Sequence, residues 1–368
     1  MDTLMDSLPA LERLTLRLRA LYERYGYTRY RMGKFEPYDM YMENRSFLKS
    51  EGIITFTNAQ GRLMALKPDV TLGIVKNARP GGGTQKLYYN ENVFRIEHRG
   101  EEYREISQIG VEYLGAMPGY AEAEVVSLAV DSLAAIGGDF VLDVSHMGFI
   151  SGLLGATGLG GEMGETVLGE LRRKNADGLQ ALCGQLGVFG AGEKALTGAA
   201  RLRGPLGTAI AQARDLVLCR EMSDALDELE ALYAVLKAKG KAEQVCLDFS
   251  VINDLDYYNG LVFRGYVRAA KRAVLAGGRY DNLMRRFGKE QAAIGFALYL
   301  SELERVLHCP PDYDVDVLML CGDAPAALVA AAVEKLARTG SVRAERTAPP
   351  GVRARRVVVL GEEAALYA

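Results

Sequence analysis

Residues Tyr88 to Gly115 read YYNENVFRIEHRGEEYREISQIGVEYLG, and this segment carries the strongest structural signal in the chain. Its apolar and aromatic residues predict two long strands, at Leu87–Glu97 and Tyr103–Leu114, joined by a turn. Successive strands of this kind favour an antiparallel sheet. Gln108 and Glu112 lie four residues apart on the second strand, so their side chains point to the same face of that sheet.

On both sides of this segment the chain alternates between helical and extended patterns. Near the start, leucines spaced three and four residues apart predict an amphipathic helix that Gly26 ends. We expect the short extended patterns Gly52–Asn58 and Arg62–Leu66 to join the same, largely antiparallel sheet. The amphipathic helix spans Leu8–Tyr25. The other elements predicted in this half are helices at Asp69–Ala78 and Glu122–Ala135 and a strand at Phe140–Val144.

The second half of the chain contains a helical insertion and a separate terminal module. Glycine-separated helical patterns run from about Met147 to Lys241, and Pro310 and Pro311 mark a later boundary. The sequence therefore predicts an α+β core over residues 1–310, with the insertion at about 147–241, and a short α/β module over residues 311–368. The strands predicted here are Gln244–Phe249, Leu261–Val267, Ala273–Leu275, Ile294–Leu298, Val315–Leu320 and Arg356–Leu360. One helix is predicted to follow the strand Ile294–Leu298 and to end at Leu307, and another is predicted at Ala324–Arg338.

The composition is that of an ordinary globular protein. The 368 residues include 49% hydrophobic and 25% charged residues, enough for more than one core. A net charge of -3 argues against a protein that coats nucleic acid. The five cysteines form no C-x-x-C pair, as expected for reduced thiols in a cytoplasm. Since no long apolar stretch or basic leader is present, we expect neither a membrane span nor secretion.

Several familiar catalytic and cofactor motifs are incomplete. The glycine run Gly158–Gly164 has Met163 where a dinucleotide-binding motif needs its third glycine. The run Gly81–Gly83 lacks the Gly-Lys-Ser/Thr ending of a phosphate loop. The three histidines cannot be paired with a serine or cysteine nucleophile. The sequence therefore predicts no catalytic residues, no cofactor and no metal.

The order of several short motifs resembles the class II aminoacyl-tRNA synthetases, specifically the histidyl enzyme and its non-catalytic relatives. GYTRYRMG at Gly26–Gly33 resembles motif 1, the dimer-forming strand, with a final glycine where the family usually has proline. LKPDVT at Leu66–Thr71 resembles the element that holds the amino group of histidine. Tyr88–Gly115 resembles motif 2, and INDLDYYNGLVF at Ile252–Phe263 resembles a wall of the histidine pocket. The resemblance covers about Leu8–Leu307 and implies a class II synthetase-like antiparallel sheet flanked by helices.

This resemblance implies a histidine pocket, and the chemistry of the residues supports it. Free histidine offers an ammonium, a carboxylate and an imidazole, so its pocket needs acids, phenols or amides, and an aromatic floor. The alternative is that Gln108 and Glu112 decorate a solvated sheet face and that the tyrosines are core residues. The candidate pocket residues are Asp69, Thr71, Arg95, Gln108, Glu112, Tyr257, Tyr258 and Tyr280, with Arg279 as a second candidate for the carboxylate.

The chain departs from the synthetase pattern where ATP chemistry needs cations. Activation of an amino acid by ATP requires positive charge on the phosphates. The motif 2 arginine is kept as Arg95, but Asn253 stands where the family has the arginine before Leu-Asp-Tyr-Tyr. Glu302 replaces the motif 3 arginine, and Glu102 replaces an arginine of the motif 2 loop. We therefore expect adenylation to be lost.

This pattern, with a terminal module about half as long as a synthetase anticodon-binding domain, resembles the regulatory subunits of ATP phosphoribosyltransferase. The resemblance implies a non-catalytic, allosteric role in the first step of histidine biosynthesis and in its feedback inhibition by histidine. It also implies a short-form catalytic subunit as partner in a hetero-octamer, a homodimer through motif 1, and histidine as ligand. Two alternatives stay open, a divergent histidyl-tRNA synthetase and another histidine-binding paralogue. A regulatory site between subunits is an alternative to the pocket.

Overall fold

The computed structural model describes residues 8–43, 52–79, 83–97, 102–117, 119–252, 257–307 and 312–361. The chain divides into two compact units, residues 1–307 and residues 308–368. The first unit contains a nine-stranded sheet and all the candidate pocket residues, and the second contains a small α/β module.

The nine-stranded sheet is mainly antiparallel and forms the centre of the first unit. In spatial order its strands are β1 (Thr28–Arg29), β5 (Gln85–Glu97), β6 (Glu102–Gly115), β12 (Ala292–Tyr299), β11 (Leu275–Arg279), β10 (Leu261–Val267), β7 (Phe140–His146), β9 (Val245–Asp248) and β8 (Arg203–Pro205). The two strands predicted from the most diagnostic segment, β5 and β6, pair antiparallel along their whole length. Parallel pairs occur between β1 and β5 and between β7 and β9.

Helices cover one face of this sheet. Tyr22 of α1 (Ala10–Arg24) hydrogen-bonds Ser132 of α4 (Gly119–Ile136) across 3.0 Å, and the alternate residues of β6 that include Val111 join both helices in the main hydrophobic core. Because side chains alternate along a strand, Gln108 and Glu112 point to the opposite face, which we call the pocket face. Their placement on one face confirms the prediction from their spacing.

The short strands that precede β5 do not belong to the central sheet, contrary to the sequence prediction. β3 (Thr55–Thr57) and β4 (Leu63–Leu66) form a separate three-stranded sheet with β2 (Phe35–Pro37), in the order β2-β4-β3. The reason is that β1 occupies the edge of β5, so β4 pairs with β2 instead. The remaining helices before β5 are α2 (Asp39–Glu43) and α3 (Thr71–Asn77).

The helical insertion lies between strands β7 and β9. Its helices are α5 (Met147–Ala156), α6 (Gly161–Arg172), α7 (Ala176–Leu186), α8 (Ala191–Arg201), α9 (Leu206–Arg214) and α10 (Arg220–Ala238). Two ion pairs between half-exposed cations and buried aspartates attach it to the sheet. Lys174 Nζ lies 2.5 Å from Asp248 Oδ2, and Arg203 Nη2 lies 3.1 Å from Asp143 Oδ1. The helices confirm the predicted insertion, whereas β8 within it was not predicted.

The first unit ends with α11 (Asp281–Arg286), strand β12 and α12 (Leu300–Leu307). In the second unit, a parallel sheet has the order β14 (Val342–Glu345), β13 (Val315–Leu320) and β15 (Ala354–Val359), with α13 (Ala326–Leu336) between β13 and β14. The sequence analysis did not predict β14. Its residues, VRAE, alternate between apolar and polar, but four residues are too few for a distinct periodic signal.

Candidate functional site

Glycines form much of the floor at the centre of the pocket face. Gly295 lies between Glu112 and Gly278 in a row of cross-strand pairs. A Cβ atom at Gly295 would lie 1.8 Å from Oε2 of Glu112, and one at Gly278 would lie 2.6 Å from Cδ1 of Tyr258. These strand positions therefore require glycine so that Glu112 and Tyr258 can lie flat against the sheet.

Glu112 is the buried acid at the centre of the site, and only 2% of it is exposed. Its Oε1 accepts a hydrogen bond from Thr71 Oγ1 at 2.7 Å, and its Oε2 accepts one from the Tyr280 hydroxyl at 2.5 Å. Burial raises the pKa of Glu112 to about 8, although both hydrogen bonds oppose the rise. The carboxyl group is therefore mainly protonated at neutral pH, and a cation placed beside it would favour the carboxylate.

Asp69 and Arg95 lie together beside the first turn of α3. Asp69 Oδ1 accepts a hydrogen bond from the backbone N–H of Leu72 at 2.8 Å, which satisfies a free amide at the helix start. Asp69 thus precedes the helix, which begins at Thr71 rather than at the predicted Asp69. Asp69 Oδ2 lies 3.8 Å from Arg95 Nη2, and Arg95 Nε donates to the carbonyl of Pro68 at 2.9 Å. These contacts fix an acid and a cation side by side.

Three tyrosines form an aromatic wall over the acids. The ring centroids of Tyr257 and Tyr258 are 4.5 Å apart, and those of Tyr257 and Tyr280 are 6.0 Å apart. Burial, followed by the nearby carboxylates, raises the pKa of Tyr257 and of Tyr280 well above its ordinary value. Their hydroxyl groups therefore stay protonated and serve as hydrogen-bond donors, as Tyr280 does towards Glu112.

Further polar groups lie on β5 and β6 beyond Glu112. Gln108 is 4% exposed, and its side chain makes no hydrogen bond to any residue in the described ranges. Across from it on β5, Glu91 Oε2 lies 2.5 Å from Nζ of the fully buried Lys67. Sequence reasoning missed this ion pair. The strand register would have revealed Glu91, but no sequence pattern marks Lys67 as its partner.

The structure assigns the two arginines of β10 and β11 to opposite faces. Arg279 follows Gly278, so it points to the helical face, where its Nη1 lies 3.0 Å from Glu122 Oε1 and its Nε lies 2.8 Å from Asp281 Oδ2. The prediction that Arg279 reaches the pocket is therefore wrong, because strand alternation directs it away. Arg264 on β10, which sequence reasoning did not single out, lies on the pocket face.

Two of the three residues that depart from the synthetase pattern lie within the described part of the chain. Asn253 lies outside the described residues. Glu302 is half-buried in the first turn of α12. Glu102 is exposed at the start of β6, where its Oε2 lies 3.4 Å from Arg104 Nη2. Glu102 thus already has a local positive partner.

Among the described residues, no group of three or more histidine, cysteine, aspartate or glutamate side chains is arranged to hold a metal ion. Within the same ranges, no helix combines the length and the apolar character needed to cross a bilayer.

Known proteins with similar sequences share this architecture. A family model described as histidyl-tRNA synthetase matches residues 1–303. The ATP phosphoribosyltransferase regulatory subunit of Geobacillus kaustophilus is 34% identical over 310 residues, which cover 81% of this chain and 78% of that protein. A crystal structure of an ATP phosphoribosyltransferase regulatory subunit/histidyl-tRNA synthetase from Bacillus halodurans has a TM-score of 0.79 at 24% identity, covering 95% of this chain and 93% of that one.

A second solved structure belongs to an ATP phosphoribosyl transferase complex from Thermotoga maritima. The matched chain has a TM-score of 0.62 at 18% identity and covers 78% of this chain and 96% of its own length. At this identity the likeness concerns the fold. Together the matches confirm the predicted class II synthetase-like fold.

Proposed function

The chain belongs to the family of ATP phosphoribosyltransferase regulatory subunits, which has the histidyl-tRNA synthetase fold, and we propose that it is the non-catalytic, histidine-responsive subunit of that enzyme. In this role it supports a separate catalytic subunit that condenses ATP with phosphoribosyl pyrophosphate, the first step of histidine biosynthesis. The sequence likeness to regulatory subunits carries the proposal, and the Thermotoga maritima complex supports assembly with a catalytic partner.

The pocket face supports histidine as the ligand. Asp69 and Glu112 are the acids for its ammonium group, and approach of that cation would ionise Glu112. Tyr257, Tyr258 or Gln108 is available to hydrogen-bond the imidazole. Binding at this site alters activity only if histidine contacts two states of the assembled enzyme differently.

Titration of histidine into the assembled enzyme tests this proposal. We expect the chain to raise the activity of the catalytic subunit and histidine to inhibit the complex. Glu112→Ala and Asp69→Ala each remove an acid from the site, so each should raise the histidine concentration for half-inhibition by about 10-fold or more. The matched control is Glu102→Ala, which removes an exposed acid from the same strand as Glu112.

Two results would contradict parts of this proposal. If both pocket variants were inhibited like the wild type, histidine would act elsewhere, such as at the interface between subunits, and only the subunit role would stand. If the chain had no effect on the catalytic subunit in activity or in sedimentation, the regulatory role itself would be wrong.

A second candidate function is histidyl-tRNA synthesis, and the retained motif 2 arginine, Arg95, favours it. Against it, Glu302 replaces a cation of the synthetase pattern with an anion, as Glu102 does in the motif 2 loop. Like charge beside a phosphate opposes the displacement that adenylation requires. We therefore expect no histidine-dependent exchange of pyrophosphate into ATP by the purified chain. Rapid exchange at ordinary enzyme concentrations would favour the synthetase.

A further inference from the structure

The pocket face carries a buried hydroxyl group, that of Tyr89, to which neither the motifs nor the family resemblance assigns a role. Tyr89 lies on β5 directly opposite Gly110 of β6, so both residues belong to the same face of the sheet as Glu112. A Cβ atom at Gly110 would lie 2.6 Å from the hydroxyl oxygen of Tyr89 and 2.7 Å from its Cζ. Because Gly110 has no side chain, the phenol ring can lie across β6.

The Tyr89 hydroxyl is buried without a partner in the described part of the chain. The residue is 1% exposed, and its hydroxyl makes no hydrogen bond to any described residue. The neighbouring residue, Tyr88, points to the helical face instead, where its hydroxyl donates to Glu23 Oε1 at 2.7 Å. A buried hydroxyl without a hydrogen bond costs free energy, and a ligand that supplies the partner recovers that cost.

Gln108 supplies a second buried polar group beside Gly110. It is 4% exposed, and within the described ranges its side chain also lacks a hydrogen bond. Alternate residues of a strand are about 7 Å apart, so Gln108 and Gly110 are neighbours on the pocket face. Ala297 follows Gly110 in the row of cross-strand pairs, and its small methyl group leaves room above the sheet. A hydroxyl and a carboxamide therefore face the same part of the pocket, at the distance that a small ring could bridge.

The charges around the Tyr89 hydroxyl determine which part of an amino acid it can bind. Burial, followed by the charges of Glu112 and Asp69, raises the pKa of Tyr89 well above its ordinary value. The hydroxyl therefore stays protonated and is available as a hydrogen-bond donor. The same two acids repel a carboxylate from this position, and they are the better partners for an ammonium group, which has donors only. The uncharged ring is therefore the part of the ligand that matches the hydroxyl.

We propose that Tyr89 determines specificity for the imidazole ring, because its hydroxyl donates to the unprotonated ring nitrogen while the Gln108 carboxamide oxygen accepts from the ring N–H; this inference rests on the proposed histidine pocket. Neutral imidazole has one acceptor nitrogen and one donor nitrogen, which complement this pair. An amino acid of similar shape without ring nitrogens does not recover the cost of the unpartnered hydroxyl. The pocket therefore selects histidine over such an analogue.

Calorimetric titration of the full-length chain with histidine and with thienylalanine tests this inference, since the thiophene ring has a similar shape but no nitrogen. We expect the wild type to prefer histidine by about 10-fold or more. Tyr89→Phe removes only the hydroxyl oxygen, so it should weaken histidine binding by about 10- to 100-fold and leave thienylalanine binding within about 2-fold. Gln108→Met, which removes the carboxamide at similar size, should reduce the preference for histidine in the same direction. Tyr88→Phe is the matched control, because this tyrosine points to the other face, and it should bind both ligands like the wild type.

Thermal unfolding of the ligand-free variants tests the premise independently. Tyr89→Phe should be at least as stable as the wild type, because it removes a hydroxyl that has no partner. Tyr88→Phe should be less stable, because it loses the hydrogen bond to Glu23. An equal loss of stability in both variants would mean that the Tyr89 hydroxyl has a structural partner, and it would overturn the inference.

The outcomes separate the inference from the proposed function. If the wild type does not bind histidine, the histidine pocket is wrong, and this inference falls with it. If the wild type binds histidine but Tyr89→Phe binds it equally well, or weakens both ligands equally, the pocket stands and Tyr89 does not recognise the ring. Should Tyr89→Phe fail to fold, Gln108→Met decides, because an unchanged preference for histidine in that variant would overturn the inference.

Discussion

At the scale of single residues, Glu112 has the most unusual environment of the candidate site. It is buried beside two hydroxyl donors, Thr71 and Tyr280, and its pKa of about 8 is far above that of an ordinary glutamate. Between about pH 4.3 and pH 8, the folded chain therefore keeps a proton on Glu112 that the unfolded chain has already released. By linkage, the contribution of this group to stability is fully present below that window and is lost as the pH rises through it.

Glu112→Gln should remove this pH dependence. The neutral amide needs no proton, so its free energy of unfolding should match that of the wild type near pH 5 and exceed it by roughly 2 to 5 kcal/mol near pH 9. Chemical denaturation at a series of pH values measures the difference. Glu102→Gln, an exposed change on the same strand, should show no such trend. A constant difference between Glu112→Gln and wild type at all pH values would contradict the proton linkage.

Gly295→Ala tests the steric role of the pocket floor. The new methyl group would overlap the Glu112 carboxyl, so we expect a loss of stability of about 1 to 3 kcal/mol and a loss of histidine binding. Gly184→Ala is a matched control, because a Cβ atom there meets no atom within 4 Å. Thermal unfolding and calorimetry report the two effects. Normal histidine binding by Gly295→Ala would show that the ligand does not depend on the position of Glu112.

Sequence reasoning brings together only part of this site. A period of two along one strand suffices to place Gln108 and Glu112 on the same face. It does not determine how β10 and β11 align with β6, so it cannot show that Arg264 faces the pocket or that Arg279 does not. The ion pair of Lys67 with Glu91 cannot be predicted from the sequence for a similar reason, because Glu91 is 24 residues away on another element. Such contacts depend on tertiary pairing rather than on local pattern.

At the scale of elements, α3 is held at both ends by side chains from outside the helix. Asp69 bonds an amide of its first turn, and the ammonium group of Lys289 donates to the carbonyls of Val75, Lys76 and Ala78 at the other end. A cation at a helix C-terminus also stabilises the helix, because it interacts favourably with the negative end of the helix dipole. Because Thr71 begins α3, these contacts determine where its hydroxyl meets Glu112.

Lys289→Met should therefore loosen α3. The variant leaves three carbonyl groups without their donor, so we expect the free energy of unfolding to fall by about 2 to 4 kcal/mol and histidine binding to weaken. Lys271→Met, at an exposed lysine, is the control for loss of charge alone. Hydrogen exchange of the α3 amides gives the local reading. Unchanged protection of these amides in Lys289→Met would contradict the anchoring role.

The sequence correctly predicted the elements that have a long apolar periodicity. It failed for short strands, because the pairing between strands determines which sheet they join. The long strands β5 and β6 and helix α1 follow directly from their patterns. The extended patterns of β3 and β4 were found, but their membership of a second sheet depends on β2, a three-residue strand that carries no periodic signal. The same limit applies to β8 and β14.

At the scale of the whole molecule, the exposed strand β1 lies at the edge of the central sheet, where the motif 1 resemblance leads us to expect a homodimer. Edge strands offer unpaired backbone groups to a partner, and β1 lies in the segment that resembles motif 1. We expect sedimentation to give a dimer for the chain alone and a much larger species with the catalytic subunit. A monomer at micromolar concentration, unchanged by the catalytic subunit, would refute this assembly.

The pairing of β6 with β12 also has a consequence for how the chain folds. Glu112 and its hydroxyl donor Tyr280 are 168 positions apart in the sequence, and the whole helical insertion is synthesised between them. Contacts between such distant residues form late, because closing a long loop costs entropy before the contact can repay it. During translation, β6 therefore lacks the Tyr280 hydroxyl and the glycine floor that pack against Glu112. These contacts can form only after the chain up to Tyr299 has left the ribosome. A nascent chain truncated before β11 should be unable to recognise an amino acid, however well its first strands have formed.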